Sequence, residues 1–246
     1  MSDSYRALCT DFYINQKVSV KLDLPRTRET TLDLFERIRR EFTDMDAFRR
    51  YKDELALESP QGSAPHRWLA VRNSNVRSGV VNPNTDEDAF GLHRRLLEVA
   101  PYYLSISPLD IEYVELLFGF DMAASGAHDR IVAEALLDGS PLASLADGHV
   151  GTCVECQPLL GFTLDAGAEI EAHFEVKTRS SSRDAERRDE PISVYLTLRH
   201  YEPVSDLAQL QARFDRLALR GLELVDERVV GSLLVPLRQA IASRNL

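Results

Sequence analysis

Lysine is almost missing from this chain: four residues stand against 25 arginines. Arginine is the better fork for phosphate and carboxylate, but here it is spread along the whole sequence. A general compositional bias accounts for that spread better than a site does. Cysteine is scarce as well. An odd set of three, Cys9, Cys153 and Cys156, excludes a disulfide framework. No Gly-x-Gly occurs, which removes the dinucleotide fingerprint. The phosphate-loop, nucleophile-elbow and zinc-protease patterns are missing too. No apolar run approaches the roughly 20 residues of a membrane span. The longest near the C-terminus, 229–237, is broken by Gly231, Ser232 and Pro236. The first residues are polar and lack the apolar core of a signal peptide. A cytoplasmic protein with no membrane partner is expected.

What is present is ordinary globular material. The 246 residues are 44% hydrophobic and 28% charged, enough for one large domain or two small ones. Collagen, coiled coil and wholesale disorder do not fit. The net charge is −10, from 29 basic and 39 acidic residues. It is unevenly placed: residues 82–176 hold 17 acidic and 3 basic side chains, and each flank is slightly basic. A nucleic-acid partner is therefore not expected, because such affinity comes from neutralising phosphates. The acidic middle reads as a solvated surface or as a face for a cationic partner.

Alternation predicts a strand over 17–24, with an earlier apolar stretch at 5–14 as a second. Thr30 and Asp33 open a helix over 30–42, and Asp44 caps a short helix to Tyr51. Strands at 55–57 and 67–72 flank a loop rich in Pro, Gly and Ser. Asn73-Ser74-Asn75 turns the chain into a hairpin strand at 76–81. Thr85 and Asp88 cap a further helix, and 111–122 is the strongest strand. Ser125 caps a helix ending near Gly139. Strands follow at 150–164, 168–177 and 191–201. Residues 179–190, polar throughout except Ala185, read as a mobile hairpin loop. Two C-terminal helices, 205–219 and about 223–244, are separated by Gly221, with Pro236 kinking the last. The fold class is thus α+β with a largely antiparallel sheet. A ferredoxin-like (βαββαβ) first half, 1–125, leads through a helical connector, 126–149. A three-strand meander with two helices, 150–246, completes the chain, or the halves share one core.

Four groups of residues invite a chemical reading. Cys153-Val154-Glu155-Cys156 with His149 reads H-x3-C-x2-C, a thiolate and imidazole set of the kind zinc takes. Cys9, His173 or His200 would be the fourth ligand. A straight strand over 150–157 would send the two sulfurs to opposite faces, so packing is the expectation, with no metal and no cofactor. The polar face of 168–177 carries Glu171, His173 and Glu175, and that of 191–201 carries Tyr195 and Arg199. Together these could do acid–base work, although alternation alone predicts a solvated face with cross-strand ion pairs. Arg72, Asn73, Asn75 and Arg77 surround a turn and could hold a carboxylate or phosphate, although asparagine is also what the turn demands. Asp44 and Asp46, and Asp86-Glu87-Asp88, stand at helix starts, where acidic groups meet the positive end of the dipole. Trp68 reads as core.

On this basis the chain reads as a non-catalytic binding or protein-interaction protein, its partner an unknown protein or small-molecule ligand. The alternative is a hydrolase or metal-assisted enzyme built on the polar face of 168–177 and 191–201.

Overall fold

The computed structural model describes residues 3–146, 151–178 and 190–244. His149 and the polar stretch 179–189 lie outside the described residues. Period-two alternation builds the sheet. In β1 (Asp11–Val20), Phe12, Ile14, Val18 and Val20 are buried on one face. In β6 (Ile111–Met122), Val114, Leu116, Phe118, Phe120 and Met122 do the same. The two strands pair antiparallel with Ile14 opposite Phe118. The expected pair of strands at 5–14 and 17–24 is therefore one strand, 11–20. Gln16 hid it from the pattern, because a polar side chain takes a core position and is only 1% exposed. Leu22 continues the alternation past the strand end into solvent.

Seven further strands complete one antiparallel sheet. They are β2 (Ala47–Arg50), β3 (Leu55–Glu58), β4 (His66–Val71), β5 (Asn75–Val81), β7 (Leu159–Thr163), β8 (Ile170–Lys177) and β9 (Ile192–His200). Their order is β2-β3-β4-β5-β1-β6-β9-β8-β7. With α1 (Arg28–Arg39), α2 (Asp86–Tyr103), α3 (His128–Leu137) and α5 (Gln209–Leu224), one connectivity appears twice. A central strand leads into a helix, then into a meander that returns to pair beside that strand, then into a second helix. In the first wing β1 is central and β3-β4-β5 is the meander. In the second β6 is central and β7-β8-β9 is the meander. The short α4 (Ala143–Ala146) precedes β7.

This α+β antiparallel architecture agrees with the sequence at the level of class, but the ferredoxin-like order has two strands between its helices and this chain has four. The difference starts at residues 47–50, expected as helix and found as strand β2. Asp44 does not cap a helix there. Its carboxylate accepts from Ser59 Oγ at 3.0 Å and Arg67 Nη1 at 2.8 Å, which ties the chain entering β2 to the strand beyond it.

The described helices gather on one side of the sheet. Leu92 and Leu96 of α2, and Phe214 and Leu217 of α5, join Ile14, Phe118 and Leu196 in a single core. Thr85 caps α2 as the sequence predicts, its hydroxyl accepting from Asp88 N–H at 3.2 Å. At the C-terminus Gly221 does not separate two helices. The helix runs through it, widens into a π-helical segment over Val225–Leu234, and continues as α6 (Val235–Arg244). The widening lies directly before Pro236, whose ring would clash with the carbonyl four residues back in a regular helix.

One buried carboxylate holds the second wing together. Asp129, 6% exposed in the first turn of α3, accepts from Cys156 N–H at 2.9 Å and from Thr178 Oγ1 at 2.5 Å. Asp129→Ala should cost about 2–3 kcal/mol, because it strands two donors in the interior. Urea unfolding measures the cost. Asp129→Asn keeps an acceptor oxygen and should lose less.

Candidate functional site

The other face of the sheet carries no described helix. Its side chains come from the alternate positions of every strand. Trp68 on β4 lies over Gly79 on β5, where a Cβ would stand 2.4 Å from the indole. Tyr13 on β1 lies over Gly119 on β6, where a Cβ would stand 2.1 Å from the ring. Glycine at both places lets the rings lie flat on the backbone. Tyr13 approaches Tyr195 of β9 with ring centroids 6.4 Å apart, and its hydroxyl donates to Asp121 at 3.2 Å. Ser193 donates to the same carboxylate at 2.6 Å. Burial, then the hydrogen bond with Tyr195, pushes the Tyr13 hydroxyl well above the usual tyrosine range.

The centre of this face is an ion cluster. Glu115 on β6 meets Lys17 at 2.9 Å and Arg199 at 2.6 Å. Both cations also lie against the Tyr113 ring, at 5.1 and 5.5 Å from its centroid. Burial opposes the Arg199 charge, but hydrogen bonds to Glu115 and Tyr201 outweigh it and raise its pKa.

The register sets Glu171 opposite Arg199, His173 opposite Thr197 and Glu175 opposite Tyr195, so the five residues singled out in the sequence do share one face. Arg199, Glu175 and Tyr195 are engaged there by close neighbours, whereas Glu171 and His173 stand side by side without a hydrogen bond between them. Arg199 is turned to Glu115. Glu175 meets Lys177 at 3.0 Å, and Lys177 lies 6.0 Å from the Tyr195 ring centroid. His173 stands 3.9 Å from Glu171 and leans over Gly161 of β7.

Arg72 and Arg77 converge as the sequence suggested, but on a carboxylate of this chain. Glu54 accepts from Arg72 Nε at 2.7 Å and from Arg77 Nη2. Burial raises the Glu54 pKa, but the two arginines outweigh it and hold it below the usual range. Arg77 also lies 5.6 Å from the Trp68 ring centroid. Asn73 accepts from Arg26, so it looks away from this pair. Asn75 begins β5 and pairs with Ser19.

Residues 151–158 are irregular, so strand alternation does not separate Cys153 from Cys156, contrary to the sequence argument. The Cys156 amide is drawn to Asp129 instead of to a neighbouring strand. Burial, and then the charge of Cys153, raises the Cys156 thiol. Cys153 points to the Glu155 carbonyl at 3.7 Å. Cys9 packs against the Tyr5 carbonyl at 3.5 Å, with its thiol pushed up to about 11 by burial. Among the described residues no group of three His, Cys, Asp or Glu side chains is placed to hold a metal.

The helical side holds a feature the sequence reading passed over. A cavity of about 550 Å³ opens between the start of α1 and strands β2 and β3. Leu32, Phe48 and Leu55 give it an apolar floor, and Arg26, Arg28, Arg50 and Thr31 line the rest. The signal was the spacing of Arg26 and Arg28 around Thr27, which rather than Thr30 caps α1 by accepting from Thr30 N–H, with Arg50 two residues after an apolar Phe48. A general arginine excess masked it. A second cavity, about 190 Å³, carries Asp165, Arg216, Arg220 and Glu223. Its charges pair with one another, Arg220 with Glu223 at 2.8 Å and Arg216 with Asp165 at 3.7 Å.

The chain matches no protein-family model and no curated protein, so the functional reading rests on this geometry.

Proposed function

We propose that the protein is a non-catalytic binding protein, and that the helix-free face of the sheet receives a protein partner. The observation that supports it is the state of the charged groups on that face. Glu115 is shared by Lys17 and Arg199, and Glu175 is paired with Lys177, so these charged groups are already held within the face. A catalyst needs an acid or base left available to substrate, whereas a protein interface favours aromatic rings and arginine held rigid in advance. Tyr13, Trp68, Tyr113, Tyr195 and Tyr201 supply the rings on this face.

Photo-crosslinking in the producing cells tests the reading. A crosslinker at Thr197, on the face, should capture a defined protein partner. One at exposed Leu219 of α5 should not. Trp68→Ala and Tyr195→Ala should weaken capture while the protein stays folded. Capture only from Leu219 would move the interface to the helices.

His173 beside Glu171 keeps the hydrolase or metal-assisted reading in play as an alternative. Turnover of ester or phosphoester substrates, with or without divalent metal and abolished in His173→Ala, would establish it in place of binding. Nucleic acid is not the proposed partner. Mixed-sequence duplex DNA should show no submicromolar binding at near-physiological salt, since Arg72 and Arg77 are already held by Glu54 and phosphate would meet a net acidic chain. A gel shift abolished in Arg72→Ala/Arg77→Ala would reverse that expectation.

A further inference from the structure

We propose that the cavity between α1 and strands β2 and β3 binds a small organic anion: a phosphate monoester head on an apolar body. The site lies on the helical side, opposite the face assigned to a protein partner, so it stands or fails on its own. Four observations meet there.

The first is unbalanced charge. Arg26, Arg28 and Arg50 line the cavity, and among the described residues no carboxylate does. Many arginines elsewhere are paired with acids, Arg67 with Asp44, Arg72 and Arg77 with Glu54, Arg94 with Asp215 and Arg199 with Glu115, and others such as Arg40, Arg49, Arg228 and Arg238 stand singly rather than around one opening. The three cavity arginines make no ion pair among the described residues, and Arg26 is oriented by its hydrogen bond to Asn73. Three like charges gathered around one opening repel each other unless an anion joins them.

The second is a buried hydroxyl. Thr31, 1% exposed, lines the cavity, and its Oγ1 has no hydrogen-bond partner. An unsatisfied buried hydroxyl is costly, and a ligand oxygen would satisfy it. The third is the backbone. The cavity lies at the beginning of α1, a 12-residue helix, where the helix dipole favours negative charge.

The fourth is the floor. Leu32, Phe48 and Leu55 are apolar, and Phe48 is half exposed although Phe35 of the core backs it at 5.9 Å between centroids. An apolar body laid on this floor would cover it. The volume falls within the roughly 300–1,000 Å³ of small-molecule sites. The head is assigned as phosphate because three guanidinium forks and a hydroxyl offer more donors than one carboxylate accepts.

Isothermal titration of the whole chain with n-octyl phosphate, below its micellar concentration, tests the assignment. Octyl phosphate should bind about tenfold or more tightly than inorganic phosphate, which lacks the body, or octanol, which lacks the head. Affinity should fall with rising salt. Arg28→Gln/Arg50→Gln should weaken binding at least tenfold while leaving the melting temperature in place, since both side chains are exposed. Thr31→Val should weaken it several-fold while raising the melting temperature, because it removes an unpaired buried hydroxyl. No heat with octyl phosphate at millimolar concentration would overturn the proposal, as would full binding by the double arginine variant. Octanoate binding as tightly as octyl phosphate would overturn the phosphate head. Sedimentation with vesicles of phosphatidic acid in phosphatidylcholine, without octyl phosphate binding, would overturn the enclosed ligand in favour of a lipid surface.

Discussion

Acidification from pH 6.5 towards pH 4 is expected to destabilise the native protein by about 1 kcal/mol per pH unit beyond the loss seen in a His93→Gln variant. His93 of α2 has no exposed surface, and its Nδ1 lies 2.7 Å from the equally buried Ser78 Oγ. Ser78 in turn donates to Gln16 Oε1 at 3.1 Å. Ser78 Oγ thus bridges the Gln16 amide and the His93 ring inside the core. A serine beside a histidine resembles a nucleophile and its base, but substrate cannot reach this pair.

Burial, the largest cause, pushes the His93 pKa down from 6.5 to about 3. Between those values the unfolded chain binds a proton that the folded chain refuses, so stability rises with pH across that window and falls on acidification. Glu54, held low by its arginines, and His200, lowered by burial, act in the same direction. Both remain in the variant and cancel in the comparison. Urea unfolding at pH 7, 6, 5 and 4 measures both slopes. The variant should start less stable at pH 7 and lose less on acidification. Parallel slopes would show that His93 is not held neutral.

Gln16, Ser78 and His93 also explain why part of the fold was illegible in the sequence. A polar residue at a core position breaks the alternation that marks a strand, so β1 was divided at Gln16. Where alternation was clean, as in β6, β8 and β9, strand and buried face were both legible, because period two is all that a half-buried strand requires. The hairpin of β4 and β5 was legible through Asn73-Ser74-Asn75 for a similarly local reason. Strand order was not. Nothing within 11–20 says that it will lie between β5 and β6, since that choice is made by Ile14 meeting Phe118 across a hundred residues. Asp44 misled in a related way. An acid near a helix start reads as a cap, yet Asp44 binds Ser59 and Arg67. The polar face of β8 and β9 was legible residue by residue, but the partners of its charges were not, because Glu115, which also holds Lys17, reaches Arg199 from another strand. The arginine cavity was hidden for the same reason: Arg26 and Arg28 meet Arg50 only after β2 has paired with β3.

Gly221→Ala should lower stability by about 2 kcal/mol, although alanine is the better helix former by about 1 kcal/mol. Local propensity alone makes Gly221 a weak point within a helix, and on that reading alanine would stabilise. The structure opposes it. Gly221 is buried inside α5, and a Cβ there would stand 2.2 Å from Cε2 and 2.8 Å from Cζ of Phe118. Phe118 has no exposed surface and stands in β6 at the junction of the two wings, so neither ring nor helix has free space to move into. Overpacking of this kind costs about 1–3 kcal/mol, and the loss of the close approach spreads along α5 towards Phe214 and Leu217. Two further variants isolate the cause. Gly231→Ala, where a Cβ meets nothing within 4 Å, should be neutral or slightly stabilising. Phe118→Leu removes the two ring atoms in conflict, and in that background Gly221→Ala should become neutral or favourable. The difference between backgrounds is the coupling energy of the pair. Thermal or urea unfolding of the four proteins measures it. A wild-type background in which Gly221→Ala raises the melting temperature would mean that α5 does not rest on β6 as closely as described, and that the glycine serves the helix alone.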